Sequence, residues 1–254
     1  MLHIMHHLRR QWKNMLIHKA PLFHIYFGNK QDNLNPQEYL NFSAGYDLFS
    51  HSSFAKVKKI LQLKQLIFLH QVHSAYGEQV TVPKIKQLQP FVHQGDFLIT
   101  NVRHVGIGVV TADCLPIVLF DTRHYAVGIA HAGWKGSVQS IAVNMTKSMQ
   151  ETYGTNLDEL QIFFGPSAQV CCYQVGHDFV EHLESFAYGE HVLQRRENGL
   201  YFDLPQFNRL QLEAMGIKKE SIHMSYALCT ICDKNFCSSR RKDAVRQMTV
   251  VSLK

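Results

Sequence analysis

Three side chains able to ligate a metal or attack a substrate stand at the ends of apolar runs: His73, Cys114 and His131. Two imidazoles and a thiolate are a good zinc set. Three protein ligands leave one position for water or substrate, as catalytic zinc requires. The three are far apart along the chain, and their spacing alone does not bring them together. Cys114 reads equally as a covalent nucleophile paired with His131 or His73, because an activated thiolate needs the same neighbours. The plainer alternative is a buried cysteine acting as a small hydrophobe, with two polar histidines at strand ends. Asp113, next to Cys114, reads as a carboxylate that orients a histidine, holds a substrate hydroxyl or caps the turn before Leu115. His70 precedes His73 by three on an expected strand, where the two point to opposite faces, so it is not expected to be a ligand.

A second group is less specific. Cys229-Thr230-Ile231-Cys232, followed by Cys237, reads as a metal knuckle, a redox pair or loop thiols without a role. A knuckle needs four ligands, and only His223 and Cys237 are near in sequence to complete one. Adjacent Cys171 and Cys172 are expected on opposite faces of a strand, which argues against joint ligation. The tight basic cluster Ser238–Lys242 offers Arg240 and Arg241 to an anion, against the alternative of a solvated charge run.

The elements that must position these groups centre on Gly95–Lys135. Val105–Thr111, Leu115–Phe120 and Ala126–Ala130 are short, Val/Ile-rich and bounded by turn residues, which predicts buried strands. Further strands are expected at Leu22–Phe27, Gln65–Val72, Leu160–Phe164, Ser221–Tyr226 and Met248–Leu253. Helices are expected at Phe54–Leu63, Ser137–Tyr153, Phe179–Phe186 and Phe207–Ala214. Irregular alternation of the two predicts an α/β fold, a single domain with mixed β-sheets flanked by helices. Residues 1–19 read as a basic, amphipathic helical extension before a domain covering 20–254.

The chain has 254 residues and 46% hydrophobic content, enough for a substantial core in one domain. No apolar run approaches the ~20 residues that cross a bilayer, so no membrane association is expected. A net charge of +6 permits an anionic partner, but the basic residues are scattered and no aromatic–basic interleaving suggests a nucleic acid polymer. A phosphate-bearing small molecule suits the Arg240–Arg241 cluster better. Six cysteines and no apolar leader point to free thiols and a cytoplasmic location.

Six motifs in order resemble one family: QVHS at Gln71–Ser74, TADCLPI at Thr111–Ile117, HAGWKG at His131–Gly136, GP…CCYQVG at Gly165–Gly176, FDL at Phe202–Leu204, and Cys229-Thr230 with FxSxRR at Phe236–Arg241. The chain is identified as a member of the YfiH/YlmD-type proteins, the laccase-domain or "polyphenol oxidase" family, now described as purine nucleoside phosphorylases. By that resemblance the catalytic zinc ligands fall on His73, Cys114 and His131, and the fold is a single α/β domain. The implied activities are phosphorolysis of adenosine, inosine and S-methyl-5′-thioadenosine, together with deamination of adenosine. Deamination needs an activated water at C6 of the purine. Phosphorolysis needs inorganic phosphate at C1′ and a phosphate clamp, for which Lys135, Arg240 and Arg241 are candidates.

Two departures bear on substrate choice. The family's T-R-x-G-G segment is replaced by Phe27–Gln31, where Lys30 is the available cation, and F-F-S-Y-R-R-D has become Phe236–Lys242, losing the aromatic and the acid. The rival activities are a copper-dependent phenol oxidase and a peptidoglycan-editing amidase. None of the 16 histidines has another two positions away, so the His-x-His pairs of multicopper centres are missing. Copper remains an expected alternative metal at a His/Cys/His set.

Overall fold

Apolar runs that are continuous rather than alternating belong to strands covered on both faces. Val105–Thr111, Leu115–Asp121 and Ala126–Ala132 are buried at every position. The computed structural model describes residues 16–39 and 48–254. It places the first of these strands in a five-stranded sheet, ordered Leu16–Lys19, Phe23–Phe27, Gln247–Leu253, Val105–Thr111, Gln65–Phe68. The other two are the antiparallel centre of a six-stranded sheet, ordered Ile222–His223, Leu160–Phe164, Leu115–Asp121, Ala126–Ala132, Phe97–Thr100, Gly77–Gln79. Each sheet is mixed. Gln65–Phe68 runs parallel to Val105–Thr111, and Gly77–Gln79 runs parallel to Phe97–Thr100. A small antiparallel sheet joins Gln174–Val175, Gly199–Phe202 and Leu193–Arg196.

The period-two alternation of side chains sorts the core into three layers. Ile25, Ile107 and Val109 from the smaller sheet meet Val118, Val127 and Ile129 from the larger one between the two sheets. On the outer face of the larger sheet, Ile117, Leu119 and Ala130 pack against Met145 and Met149 of the Ile141–Tyr153 helix and Phe207 of the Leu204–Ala214 helix. On the outer face of the smaller sheet, Tyr26, Phe68 and Val250 pack against Phe54, Val57 and Leu61 of the Ser52–Leu61 helix. The order is helix, sheet, sheet, helix: a mixed α/β fold.

Several local expectations are corrected. Leu16–Lys19 is a strand paired antiparallel to Phe23–Phe27, not part of a helix, and residues 1–15 lie outside the described ones. The strand expected to Val72 ends at Phe68, because the chain there leaves one sheet for the other. The Ser137–Tyr153 helix is two, Trp134–Val138 and Ile141–Tyr153, interrupted where Ser140 takes a left-handed φ of 63°. Phe179–Phe186 is instead a 3₁₀ segment over His177–Leu183. Its Phe179 packs against Trp134 and Phe202, with ring centres 5.5 and 4.7 Å away. The strand expected at Ser221–Tyr226 shortens to Ile222–His223.

Candidate metal centre

The chain passes between the two sheets at Leu69–Tyr76 and again at Ala112–Cys114, and the centre is built where these crossovers meet. Gln71 makes the first possible. Its side-chain amide donates to the Val110 carbonyl at 2.8 Å and accepts from the Val110 amide at 2.7 Å, so a side chain completes the ladder after the backbone has left. Both crossovers turn sharply: His73 has φ 59° and Asp113 φ 84°. Left-handed geometry at such residues is uncommon, and here it aims consecutive side chains into one corner. His131 comes from the long Ala126–Ala132 strand, in register with Pro116.

Asp96 binds these parts together. Its Oδ2 accepts from the Val72 amide at 3.1 Å, from the Ser74 amide at 2.7 Å and from the Ser74 hydroxyl at 2.7 Å. Its Oδ1 accepts from the His73 amide at 3.1 Å and from His131 Nδ1 at 2.8 Å. With Nδ1 occupied, His131 presents Nε2 to the centre, the tautomer a metal ligand needs. Burial alone would push the Asp96 carboxyl up, but these bonds, His131's foremost, hold it below the ordinary carboxylate value.

One ligand atom from each of His73, Cys114 and His131 lies within 4.8 Å of the others. The two imidazoles meet edge to face at 4.8 Å between ring centres. Burial raises the Cys114 thiol, but the His131 charge and hydrogen bonds from His131 and His73 outweigh it and bring it down to about 6. The same pairing acts on His131 in reverse. Burial lowers it, and the Cys114 thiolate and Asp96 carry it up to about 9. Gly133 leaves the room: a Cβ there would stand 2.8 Å from Cys114 Sγ and 3.2 Å from His73 Cδ2. Donor types, convergence, the fixed tautomer and this cradle all suit a metal ion, and the three can hold one.

The triad lies on the wall of a cavity of about 360 Å³. Tyr39, Phe91, Trp134 and Tyr173 give it aromatic walls, and Arg240 and Arg246 line it as cations. His70 also lines it but is not among the converging ligands. Arg240 sits with its guanidinium 4.9 Å from the Tyr173 ring centre. Asp113, 7% exposed, accepts from Thr230 Oγ1 at 2.7 Å, from Ser238 Oγ at 3.0 Å and from the Arg240 amide at 2.8 Å. Neither histidine is among its partners. Asp113 fixes the turn that carries Arg240.

The other expected anion ligands are elsewhere. Arg241 donates to the carbonyls of Thr230, Ile231 and Phe236 and to Asp243 Oδ2, and it fastens the turn instead of facing the cavity. Lys135 is exposed on the Trp134–Val138 helix, outside the cavity lining. Lys30 pairs with Asp243 Oδ1 at 3.0 Å. Asp243 Oδ2 also accepts from Arg241, so one carboxylate holds both cations.

A sequence profile described as "Multi-copper polyphenol oxidoreductase laccase" matches residues 51–254. The chain belongs to this laccase family. The laccase-family chain is 36% identical over 159 residues to a "Purine nucleoside phosphorylase" of Aquifex aeolicus (strain VF5), covering 62% of this chain and 70% of that one. It is 32% identical over 189 residues to "Adenosine deaminase RL5" of an unknown prokaryotic organism, covering 71% of each. Among solved structures it resembles the hypothetical protein YfiH of Bacillus licheniformis, with TM-score 0.79 and 26% identity over 91% of this chain and 93% of that. YlmD from Geobacillus stearothermophilus shares the fold at TM-score 0.80, over 96% of this chain and 98% of that, with 24% identity.

Sequence reasoning did not find Asp96 or Tyr173. Asp96 stood inside the Gly95–Lys135 stretch, yet its role depends on a chain reversal that only the fold makes. It also missed that Cys171 and Cys172 converge with Cys229 and Cys232. The opposite-faces expectation fails because residues 171–172 lie in a turn, not a strand.

Proposed function

We propose that this protein is a zinc-dependent purine nucleoside phosphorylase acting on adenosine, inosine and S-methyl-5′-thioadenosine, with adenosine deaminase activity. One observation carries the reading: a His–Cys–His set and an arginine line the same aromatic-walled cavity. His73, Cys114 and His131 would hold the zinc ion. When bound, such an ion supplies Lewis acidity, which activates water and stabilises negative charge developing on the substrate.

The chain's own groups do the rest. Tyr39, Phe91, Trp134 and Tyr173 offer flat apolar surfaces to the purine and ribose, and a cavity of about 360 Å³ is within the range of small-molecule sites. Arg240 binds phosphate and directs it at C1′, its backbone held by Asp113 and its guanidinium steadied by Tyr173. Burial, and next the neighbouring Cys114, push the Tyr173 phenol well above its ordinary value, so it stays a neutral hydroxyl beside the cation. Asp96 keeps His73 and His131 aimed. The Leu16–Lys19 strand belongs to the same domain as the site, and the location is cytoplasmic.

Zinc-loaded protein incubated with adenosine, with and without phosphate, tests this beside a Cys114→Ala control. Adenine release that needs phosphate and inosine formation that does not, both lost in the variant, are the expected results. No turnover of adenosine, inosine or methylthioadenosine would overturn the reading. A copper-loaded arm addresses the second reading, favoured by the family's description, because copper outcompetes zinc at such a donor set. Phenol oxidation that outpaces nucleoside turnover would select it.

A further inference from the structure

Four of the six cysteines form a cluster of their own, apart from Cys114. Cys171 and Cys172 lie in one turn, Cys229 and Cys232 in another. Backbone pairing joins the two turns. Ser167 and Cys229 form a parallel bridge, the Ser167 amide donates to Leu228 and the Thr230 amide to Ser167, both at 3.0 Å. All four sulfurs lie within 4.8 Å of one another, with Cys172 and Cys232 at 2.8 Å and Cys171 and Cys232 at 3.4 Å. The Cys232 amide points at Cys229 Sγ, 3.5 Å away.

We propose that Cys171, Cys172, Cys229 and Cys232 bind one zinc ion as a structural four-thiolate site. Zinc–sulfur bonds of about 2.3 Å in a tetrahedron set sulfurs roughly 3.8 Å apart, and sulfurs that all lie within 4.8 Å of one another, the closest pair at 2.8 Å, reach that spacing with shifts of about an ångström. Four protein ligands close the coordination sphere, which marks a structural ion and not a second catalytic one. The surroundings suit the charge. Four thiolates on a dication leave two negative charges, and two guanidinium groups grip the backbone of these same turns. Arg196 donates to the carbonyls of Val170 and Cys171 at 2.9 and 3.1 Å, and Arg241 donates to Thr230 and Ile231. Cys171 and Cys232 are exposed, which gives the ion a path in.

The site would fasten the cavity wall. Cys172 precedes Tyr173, which lines the cavity, and Cys229 precedes Thr230, whose hydroxyl holds Asp113. One ion thus crosslinks the two turns that place Tyr173 and Arg240. It does not depend on a metal at His73, Cys114 and His131.

The test uses the full chain carrying Cys114→Ala, so that the first centre contributes no thiolate. Purified with zinc, this variant is expected to retain one zinc per chain, with X-ray absorption reading four sulfur ligands. Peptide mass mapping after alkylation is expected to find the four cysteines protected until a chelator is added. A Cys229→Ser/Cys232→Ser variant should lose one equivalent of zinc; if it does not fold, the absorption spectrum of the first variant still decides. Fewer than four sulfur ligands would overturn the proposal. So would free alkylation in the presence of zinc, or a Cys172–Cys232 disulfide released by reductant with no metal bound. A wild-type chain holding one zinc that Cys114→Ala abolishes would also overturn it, while leaving the phosphorylase reading intact.

Discussion

Asp96 Oδ1 accepts from His131 Nδ1 at 2.8 Å, and the same carboxylate holds the amides of Val72, His73 and Ser74. One side chain therefore sets the tautomer of one imidazole and the loop that carries the other. An Asp96→Asn variant keeps the shape but turns an NH₂ toward donors that need an acceptor. Zinc affinity should fall roughly 10–100-fold, the usual cost of losing a partner behind a metal ligand. Competition against a chromogenic chelator reads this, with circular dichroism to check that the fold survives.

The Cys114–His131 pairing predicts a pH dependence in the metal-free protein. Cys114 is lowered from an ordinary value of 9.0 to about 6, so the stability it adds is present above 9.0 and lost as pH falls through about 6. His131 is raised from 6.5 to about 9, so its contribution is present below 6.5 and lost as pH rises through about 9. The thiolate–imidazolium pair therefore spans about pH 6 to 9. Alkylation of Cys114, followed by peptide mass, should show a midpoint near the lower limit. His131→Gln should move that midpoint up, because His73 is then left to oppose burial without the larger His131 contribution; an unmoved midpoint would contradict the pairing.

Gly133 tests the fit of the centre by sterics alone. Its backbone is extended, with φ −71°, so alanine brings no conformational strain. The added methyl would press on Cys114 Sγ at 2.8 Å and on His73 Cδ2 at 3.2 Å. Gly133→Ala should weaken zinc binding roughly tenfold or more while the melting temperature of the metal-free chain stays nearly unchanged. Equal affinity in a zinc titration would mean that the ligands have slack which the geometry does not suggest.

Much of this was legible in the sequence, and the reasons differ by element. Val105–Thr111 and Leu115–Asp121 were readable because burial on both faces leaves a continuous apolar run. That they belong to different sheets was not readable, since Ala112–Cys114 gives no sign of a crossover. His73, Cys114 and His131 stood out by type and motif, but their convergence depends on two such crossovers. Adjacent Arg240 and Arg241 look identical in sequence and have opposite surroundings, because the turn held by Asp113 points one to the cavity and folds the other under. Cys171 and Cys172 were misjudged through a wrong local geometry, a strand assumed where a turn stands. The helix break at Ser140 had no cue in an otherwise amphipathic run.

That contrast between neighbours gives the last prediction. Arg240 lines the cavity and leans on Tyr173, so Arg240→Gln should raise the KM for phosphate. Loss of a hydrogen bond to a charged group costs about 1.5–3 kcal/mol, which corresponds to a KM raised roughly ten- to hundredfold. The melting temperature should hardly move, because Asp113 bonds the Arg240 backbone and not its side chain. Arg241→Gln should do the reverse. Its guanidinium satisfies three carbonyls and Asp243, and removing it leaves these groups in a half-buried turn, at a cost to stability of about 1–3 kcal/mol. Initial rates against phosphate concentration and a thermal melt on both variants separate the two roles. A pair of variants that shift KM alike would show that Arg241 also reaches the anion.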